Sequence, residues 1–218
     1  MDKEINKDLQ IYLDDLMIRH PELRDLYGVI SEAYNVLESC FENNGKLLIA
    51  GNGGSASDSE HISGELLKSF KMPRPIDKEL RDRLDAVSPD YGKDIASKLE
   101  KGLPAVSLVS NAAFSTAFSN DVDSLGVFAQ QVLVYGQKQD VFLGISTSGN
   151  SKNVVMASII AEAKELKTIA LTGYDGGELA KYADVVIAIP ETETYLVQEL
   201  HIAVYHCLCM MLEKHFFG

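Results

Sequence analysis

A histidine and a glutamate stand four residues apart in this chain, at His61 and Glu65. On a helix, four residues turn about 400°, which leaves the two side chains about 40° apart, about 6 Å along the axis and on one face. Such a pair can share a metal ion or transfer a proton. Taken alone, the pair is better interpreted as an exposed i,i+4 contact without chemistry. The surrounding sequence reverses that preference.

The segment before this pair has the composition of a phosphate-binding turn. Residues 47–50 are apolar and indicate a short buried strand, and Asn52, Gly53, Gly54 and Ser55 follow it. Glycine lets a ligand approach the main chain closely, and a helix start directs free N–H groups and the positive end of its dipole at one spot. Because neither G-x-G-x-x-G nor Gly-Lys-Ser/Thr is present, the predicted anion is a simple phosphoester.

Residues 146–151 form a second hydroxyl-rich turn between a strand and a helix. Four of its six side chains carry hydroxyls, and they are Ser146, Thr147, Ser148 and Ser151. Hydroxyl and main-chain donors at a helix N-terminus bind phosphate without lysine or arginine, although such a loop can also merely cap the helix. The glycine-rich turn that precedes His61 favours a phosphate-binding role for this second turn as well. No G-x-S-x-G elbow is present, so these hydroxyls are poor nucleophile candidates.

The last helix carries three further candidates, Gln198, His201 and His206. Gln198 and His206 are about 80° apart around the helix and about 12 Å apart along it, and His206 leans towards Gln198. Gln198 and His206 can bind the same ion only if Gln198 lies near a frayed helix start. His201 has ligand spacing from Gln198, but a structural or supporting role is favoured for it.

The composition is that of an ordinary globular protein with an acidic balance. The chain has 218 residues, of which 46% are hydrophobic and 24% charged, with a formal net charge of −12. This length is sufficient for a full core. The charge argues against nucleic acid or an anionic membrane as a partner. It does not exclude an anionic substrate, because local donors and helix dipoles decide that.

Neither a disulfide framework nor a targeting segment is expected. The cysteines Cys40, Cys207 and Cys209 are odd in number and form no C-x-x-C pattern, which argues against a disulfide framework. Cys207 and Cys209 lie in an apolar run and are predicted to be small core residues. The N-terminus is charged and lacks an apolar signal segment, and no run reaches the roughly 18 apolar residues of a membrane span. The sequence predicts a cytoplasmic protein.

Hydrophobic patterning predicts the elements that hold these groups. Helical spacing indicates amphipathic helices at 2–20 and 22–43, which are expected to pack on each other and on a partner subunit. Ser55, with Asp58 three residues on, is expected to cap a helix that runs from Ala56 to about Phe70. Further strands are predicted at 105–109, 141–145, 168–171 and 185–189, and further helices at 112–118, 127–135, from 152 to about 166 and at 194–216.

Strands that alternate with helices predict an α/β protein with a mainly parallel sheet. In such sheets ligands bind at the carboxyl ends of the strands, where both turns fall. We predict a single domain, 1–218, with N-terminal helices at 1–44 and a helical insertion at 72–103. That insertion holds two short helical patterns, and a functional loop and a solvated appendage are both open interpretations of it.

Five motifs in a fixed order resemble the phosphoheptose isomerases, the sedoheptulose-7-phosphate isomerase family of the sugar-isomerase (SIS) fold. The motifs are G-N-G-G-S-x5-H-x3-E at 51–65, N-D at 120–121, S-T-S-G-N-S at 146–151, L-T-G-x-D-G-G at 171–177 and Q-E-x-H-x4-H at 198–206. They cover the chain outside the insertion. The hydroxyl-rich turn alone marks only the wider fold, whereas the five together are specific.

The resemblance implies a SIS-type three-layer sandwich with its central sheet flanked by helices. It also implies a homotetramer with active sites at subunit interfaces and a Zn²⁺ ion held by His61, Glu65, Gln198 and His206. The implied reaction interconverts sedoheptulose 7-phosphate and D-glycero-D-manno-heptose 7-phosphate for surface-polysaccharide synthesis, through an enediol-type proton transfer. Glu65 would be the base and His206 the acid. The implied substrate contacts are Asn52, Gly53, Gly54, Ser55, Glu65, Asn120, Asp121, Ser146, Thr147, Ser148, Ser151 and Gln198.

Two positions depart from the family pattern. The family commonly has arginine at Ser69 and glycine at Asp123, so the exact sugar, including another ketose phosphate, stays open. The chain also resembles the DnaA initiator-associating protein, a non-catalytic binding protein of this fold, especially at 171–180. That relative lacks the glutamate and the terminal-helix histidine that stand here as Glu65 and His206. A sugar-phosphate-sensing regulator is disfavoured because no DNA-binding helix-turn-helix segment is evident.

Overall fold

The computed structural model describes residues 5–218, and a five-stranded parallel sheet lies at its centre. The strand order is β2-β1-β3-β4-β5, and every neighbouring pair is parallel. The strands are β1 Leu47–Ala50, β2 Ala105–Ser107, β3 Val141–Ser146, β4 Lys167–Thr172 and β5 Val185–Ala188. The mainly parallel α/β sheet predicted from the sequence is confirmed.

Helices cover both faces of the sheet. The α-helices of the described residues are α1 Lys7–Arg19, α2 Tyr27–Glu42, α3 Gly54–Leu67, α4 Lys78–Val87, α5 Gly92–Lys98, α6 Ala112–Phe118, α7 Val127–Tyr135, α8 Lys152–Ala163 and α9 Thr194–Phe217. In β1, Leu47 and Ile49 join the core formed with α1, α2, α3 and α9. Leu48 and Ala50 join the core on the opposite face, with α7 and α8. Alternate residues of one strand therefore bury into two cores, as the expected three-layer arrangement requires.

Two predicted boundaries differ from the observed ones for local reasons. The strand predicted at 105–109 ends at Ser107, because the chain turns there and the Ser110 N–H donates to the Ser107 carbonyl at 3.3 Å. The helix predicted at 22–43 begins with a 3₁₀ segment, Pro21–Leu26, before α2. Proline suits a first helical turn because it has no N–H to satisfy. Residues 2–4 of the first predicted helix lie outside the described residues.

The predicted helix cap at Ser55 is wrong. The N-cap of α3 is Gly53, with φ +56°, and it makes no side-chain capping bond. Glycine adopts this left-handed conformation without steric cost. Ser55 is buried in the first turn, and Asp58 contacts Tyr205 instead. The helix also ends at Leu67, before the predicted Phe70.

The charged segment 72–103 contains the two predicted short helices, α4 and α5. Asp77 caps α4 by accepting a bond from the Leu80 N–H at 2.8 Å. The segment closes on itself, since Pro75 and Glu100 form an antiparallel bridge and the Lys101 N–H donates to the Arg74 carbonyl at 2.6 Å. We call this closure the neck of the insertion.

All three cysteines are free and buried, which confirms the core position predicted for Cys207 and Cys209. Burial raises the pKa of the Cys40 and Cys207 thiols to about 12. Helix α9 is long and apolar enough to cross a membrane by length and composition, but 61% of its apolar window is buried within the fold. Core helices of soluble proteins have the same properties, so this helix is weak evidence for a membrane span.

Candidate functional site

Helices α3 and α9 lie side by side and carry the candidate ligands. Their contacts run in the same direction along both helices: Gly54 lies against Gln198, and His61 lies against Tyr205 and His206. The parallel arrangement brings together residues that are far apart in sequence. His61 and His206 are 145 residues apart.

His61 is the common partner of two other candidates. Its Nε2 lies 3.3 Å from Glu65 Oε1 and 3.5 Å from His206 Nε2. Ligand atoms at the corners of a tetrahedral zinc site lie about 3.4 Å apart, given metal–nitrogen bonds of about 2.0–2.1 Å. Two imidazole nitrogens and a carboxylate are also a donor set that zinc accepts. We call His61, Glu65 and His206 the His61 cluster.

The fourth predicted ligand, Gln198, lies elsewhere. Its side-chain amide packs against Gly54, where a Cβ atom would collide with the amide nitrogen. His61 lies seven positions after Gly54, which is about 10 Å along α3. The structure therefore shows no hydrogen bond from Gln198 to the other three candidates. Instead, it places the amide at the glycine-rich turn.

Tyr205 and Asp58 support His61 from the side away from Glu65. The Tyr205 hydroxyl lies 2.9 Å from His61 Nδ1 and donates to Asp58 Oδ1 at 3.3 Å. Burial raises the pKa of both the Asp58 carboxyl and the Tyr205 hydroxyl. Neither role was predicted from the sequence. The available signals were that Asp58 precedes His61 by three residues and that Tyr205 adjoins His206.

His206 is half-buried between rings. The ring of Phe70 lies 5.3 Å from its ring, centroid to centroid, and that of His61 lies 4.9 Å away. Burial, and then the neighbouring His61, lower the pKa of His206. A histidine that loses its proton more readily is closer to the neutral form that binds metals and accepts protons.

The two turns meet through a pair of side-chain amides. Asn52 donates to Asn153 Oδ1 and accepts from Asn153 Nδ2, both at 2.9 Å. Asn52 belongs to the first turn, whereas Asn153 lies in the first turn of α8. The amide pair therefore links the glycine-rich turn to the helix start behind the hydroxyl-rich turn.

The hydroxyl-rich turn is held by its own side chains and by residues 173–178. The Ser146 hydroxyl donates to the Ser151 hydroxyl at 3.0 Å. Gly149 has φ +64°, and a Cβ there would collide with the Gly176 carbonyl. Asn150 Oδ1 accepts from the Glu178 N–H at 3.1 Å. The glycines of the 171–177 motif thus let two loops pack closely at the carboxyl ends of β3 and β4.

Asn120 and Asp121 lie in the segment that follows α6. Both are exposed, in a π-helical segment at Ser119–Asp123 that links α6 to the next turn of helix. Their side chains bond each other at 2.8 Å.

The two positions that depart from the family pattern have structural roles here. Asp123 Oδ1 accepts from the Leu125 N–H at 3.0 Å and so caps a short helical turn. The Ser69 N–H donates to Glu100 Oε2 at 2.9 Å. Ser69 is therefore tied to the neck of the insertion.

His201 is a core residue. It is fully buried, and its Nε2 lies 3.1 Å from the Thr172 carbonyl oxygen. Burial lowers its pKa to about 4, against a small opposing effect of that bond. The structural role favoured from the sequence is confirmed.

A buried ion pair that the sequence did not reveal fixes the end of α3. Arg74 is fully buried and donates to Glu213 Oε1 at 2.9 Å and to the carbonyls of Leu66 and Glu65 at 2.8 and 3.1 Å. Burial raises the pKa of Glu213, but bonds from the Phe70 N–H and other donors outweigh burial and lower it overall. Arg74 thus caps α3 and ties it to α9.

A second histidine–carboxylate group lies where the end of α9 meets α2. His215 Nδ1 lies 3.2 Å from Glu38 Oε1, and its Nε2 lies 3.6 Å from Glu42 Oε1. Tyr34 donates to Glu38 Oε1 at 3.1 Å. Ligand atoms of Glu38, Glu42 and His215 all lie within 4.8 Å of one another, so they could hold a metal ion. We call these three the His215 cluster.

Comparison with known proteins gives a consistent result. Residues 86–173 match the family model of the SIS domain. A phosphoheptose isomerase of Helicobacter pylori (strain P12) is 37% identical over 213 residues, which cover 94% of this chain and 97% of that protein.

Two solved structures of phosphoheptose isomerases are also similar. Those of Neisseria gonorrhoeae and Francisella tularensis are each 29% identical to this chain, with TM-scores of 0.72 and 0.74. Each comparison covers 95% of this chain, with 98% and 97% of the other chain covered in turn.

Proposed function

The chain belongs to the phosphoheptose isomerase family, and we propose that Glu65 and His206 carry out its proton transfer. It is a phosphosugar isomerase with a sedoheptulose-7-phosphate isomerase role. The observation that carries the proposed mechanism is the contact of His61 with both Glu65 and His206.

Aldose–ketose exchange moves one proton between two neighbouring carbons and another between their two oxygens. A base takes the proton α to the carbonyl, an acid protonates the carbonyl oxygen, and the resulting enediol is reprotonated at the other carbon. The Glu65 carboxylate is the proposed base. His206 is the proposed acid: it protonates the carbonyl oxygen and takes a proton back from the hydroxyl of the neighbouring carbon as the new carbonyl forms. The geometry supports this because both side chains contact His61 and both are only partly exposed.

We propose Zn²⁺ as the cofactor, with His61, Glu65 and His206 as ligands. The donor chemistry fits, and the distances from His61 to the other two match the spacing of zinc ligands. Gln198 is the proposed fourth ligand by family resemblance, although its amide packs against Gly54 here. Bound zinc would polarise the sugar's carbonyl oxygen and stabilise negative charge there. Ligation by Glu65 would reduce its basicity, so Glu65 would serve best as base when free of the metal.

The two turns are the proposed phosphate site. The contacts proposed from the resemblance are Asn52, Gly53, Gly54, Ser55, Ser146, Thr147, Ser148 and Ser151, with Gln198 beside them. Two helix N-termini and several hydroxyls supply donors without a lysine or arginine. A seven-carbon sugar with its phosphate on the last carbon keeps the phosphate well away from the reacting carbonyl. The separation of about 10 Å along α3 between Gly54 and His61 suits such a substrate.

The proposed assembly is a homotetramer with active sites between subunits. Asn120 and Asp121 are exposed and bond each other, and an exposed position suits a contribution to a neighbouring subunit's site. A cytoplasmic location, a role in surface-polysaccharide synthesis and the division into one domain with an insertion remain predictions from the sequence and the resemblance.

The test is turnover of sedoheptulose 7-phosphate, with and without zinc, by wild type and two variants. Glu65→Gln keeps the shape of the side chain but removes the base, and we expect turnover to fall by about 10²- to 10⁴-fold. His206→Ala should have a similar effect. Glu42→Gln is the matched control, because it makes the same change in the His215 cluster, and it should keep wild-type turnover.

The outcomes separate the alternatives. Equal turnover by wild type and Glu65→Gln would remove Glu65 from the mechanism. No conversion by a folded, zinc-loaded wild type would point to another ketose phosphate or to a binding role. A screen of other ketose phosphates would then distinguish those two.

A further inference from the structure

We propose that Tyr205 and Asp58 are positioning residues that fix the tautomer and orientation of His61. Together they hold Nδ1 on the inner side of the ring and leave Nε2 facing Glu65 and His206. This inference rests on the proposed function, because it concerns the residue at the centre of the proposed zinc site.

The hydrogen-bond directions follow from the number of protons available. A tyrosine hydroxyl has one proton to donate, and Tyr205 donates it to Asp58 Oδ1 at 3.3 Å. The 2.9 Å contact between the Tyr205 oxygen and His61 Nδ1 must then be donated by the imidazole. A neutral imidazole that carries its proton on Nδ1 has its lone pair on Nε2. That lone pair is the one that points towards Glu65 and His206.

The surroundings of these groups leave little freedom. Tyr205 is 2% exposed and Asp58 is 7% exposed, so water cannot readily replace either partner. The Tyr205 ring also packs edge-on against the His61 ring, at 5.5 Å between centroids and 77° between planes. His61 is thus held both by a hydrogen bond and by an aromatic contact.

The hydrogen bonds of Tyr205 with Asp58 and His61 also join α3 to α9 at the proposed site. Asp58 stands one turn before His61 on α3, and Tyr205 is the neighbour of His206 on α9. Metal-binding histidines generally donate their second N–H to a carboxylate, a carbonyl or water, and such partners strengthen metal binding. Here a tyrosine stands between the histidine and the carboxylate. The same three-residue contact therefore orients the ring and spaces α3 from α9.

The chain supplies a matched control for a buried tyrosine bonded to a carboxylate. Tyr34 is 1% exposed and donates to Glu38 Oε1 at 3.1 Å, but it has no such place beside His61. Tyr205→Phe and Tyr34→Phe each remove one buried hydroxyl and leave the ring. The two substitutions should lower the free energy of unfolding to a similar degree. A difference between the two variants in the His61 tautomer or in zinc affinity would therefore report a positioning role of Tyr205.

The experiment compares wild type, Tyr205→Phe and Tyr34→Phe in two measurements. Nitrogen-15 NMR of metal-free protein should show His61 protonated at Nδ1 in wild type and Tyr34→Phe, and a mixture of tautomers in Tyr205→Phe. Competition with a chelator should show zinc binding weakened by about 10- to 100-fold in Tyr205→Phe, as for other partners of metal ligands, and unchanged in Tyr34→Phe.

Three outcomes decide the proposal. Tyr205→Phe with the wild-type tautomer and zinc affinity would overturn it, because the hydroxyl would then be only a packing partner. If Tyr205→Phe fails to fold, Asp58→Asn replaces it, since loss of the carboxylate should also mix the His61 tautomers. A wild type that binds no zinc and converts no sugar phosphate would refute the proposed function alone, because the metal-free NMR spectrum still tests the orientation of His61.

Discussion

The His61 and His215 clusters make a direct comparison, because each joins a histidine to carboxylates and each uses helix α9. A buried tyrosine takes part in both, but in a different place. At His215, the tyrosine and the histidine both bond the same carboxylate, Glu38. At His61, Tyr205 stands between the carboxylate Asp58 and the ring.

This difference decides which histidine ring nitrogens remain available to bind a metal or transfer a proton. Both nitrogens of His215 lie near carboxylate oxygens, at 3.2 and 3.6 Å, so both are engaged in contacts between α2 and α9. At His61 one nitrogen is held by Tyr205, and the other faces a carboxylate and a second imidazole. By residue types alone, the two clusters would be equally good candidates for the functional site. The hydrogen-bond pattern favours the His61 cluster as the functional one.

The largest expected effect comes from the ion pair that lies between the two clusters on α9. Arg74→Met leaves Glu213 buried without its cation, and we expect the free energy of unfolding to fall by about 3–5 kcal/mol. Arg19→Met is the control, because Arg19 pairs with Asp15 at 2.8 Å on the exposed face of α1. That change should cost less than about 1 kcal/mol. Urea denaturation measures both.

Arg74→Met should also perturb the His61 cluster more than the His215 cluster, because Arg74 caps the helix that carries His61 and Glu65. Zinc affinity should fall in Arg74→Met and stay at the wild-type value in Arg19→Met. Equal losses of stability in the two variants would mean that the buried pair does not hold α3 against α9.

The next effect is a pH dependence that arises from His201, on the same helix. Its pKa is about 4 in the folded protein, against the ordinary histidine value of 6.5 that applies to the unfolded chain. The unfolded chain therefore binds the proton more readily between these values. The resulting stability is fully present above pH 6.5 and is lost as the pH falls towards 4, in total about 3 kcal/mol.

The measurement is the unfolding free energy of wild type and His201→Gln between pH 4 and 7. His201→Gln should be less stable than wild type near neutral pH, and the difference should shrink as the pH falls. A constant difference across this range would show that His201 is not kept neutral by its burial.

The smallest expected effect is at His215. His215→Ala removes a partly exposed ion pair and should change the unfolding free energy by no more than about 1 kcal/mol. It should leave the number of bound zinc ions unchanged, whereas His61→Ala should abolish tight zinc binding. Zinc stoichiometry of both variants by elemental analysis checks the comparison. Loss of zinc in His215→Ala would make the His215 cluster the metal site.

The central strands were predictable because they are buried on both faces. Residues 47–50 and 141–145 are continuous apolar runs bounded by glycine, serine or charged residues, and both proved to be central strands. The cap of α3 was not predictable in this way. Ser55 and Asp58 have capping chemistry, but the burial of Ser55 and the contact of Asp58 with Tyr205 outweighed that local preference.

For the site, local spacing predicted the pairing of His61 with Glu65, which is an i,i+4 contact on α3. The contact with His206 was suggested by the family resemblance, because helical spacing says nothing about residues 145 apart. Arg74 was missed for the same reason, since its partner Glu213 lies 139 residues away. A sequence shows which groups are available, whereas the packing of α3 on α9 decides which of them meet.

The neck of the insertion makes the segment beyond it replaceable by another segment of chain. Pro75 and Glu100 already form a bridge, so the chain leaves and re-enters the body of the protein at one point. When the two ends of a loop are fixed together, a different length of chain between them adds little closure entropy. Residues 78–98 could therefore be replaced by a short turn, a purification tag or a fluorescent reporter domain, provided that Arg74 stays in place. The same geometry would let related chains gain or lose this segment without rebuilding the sheet.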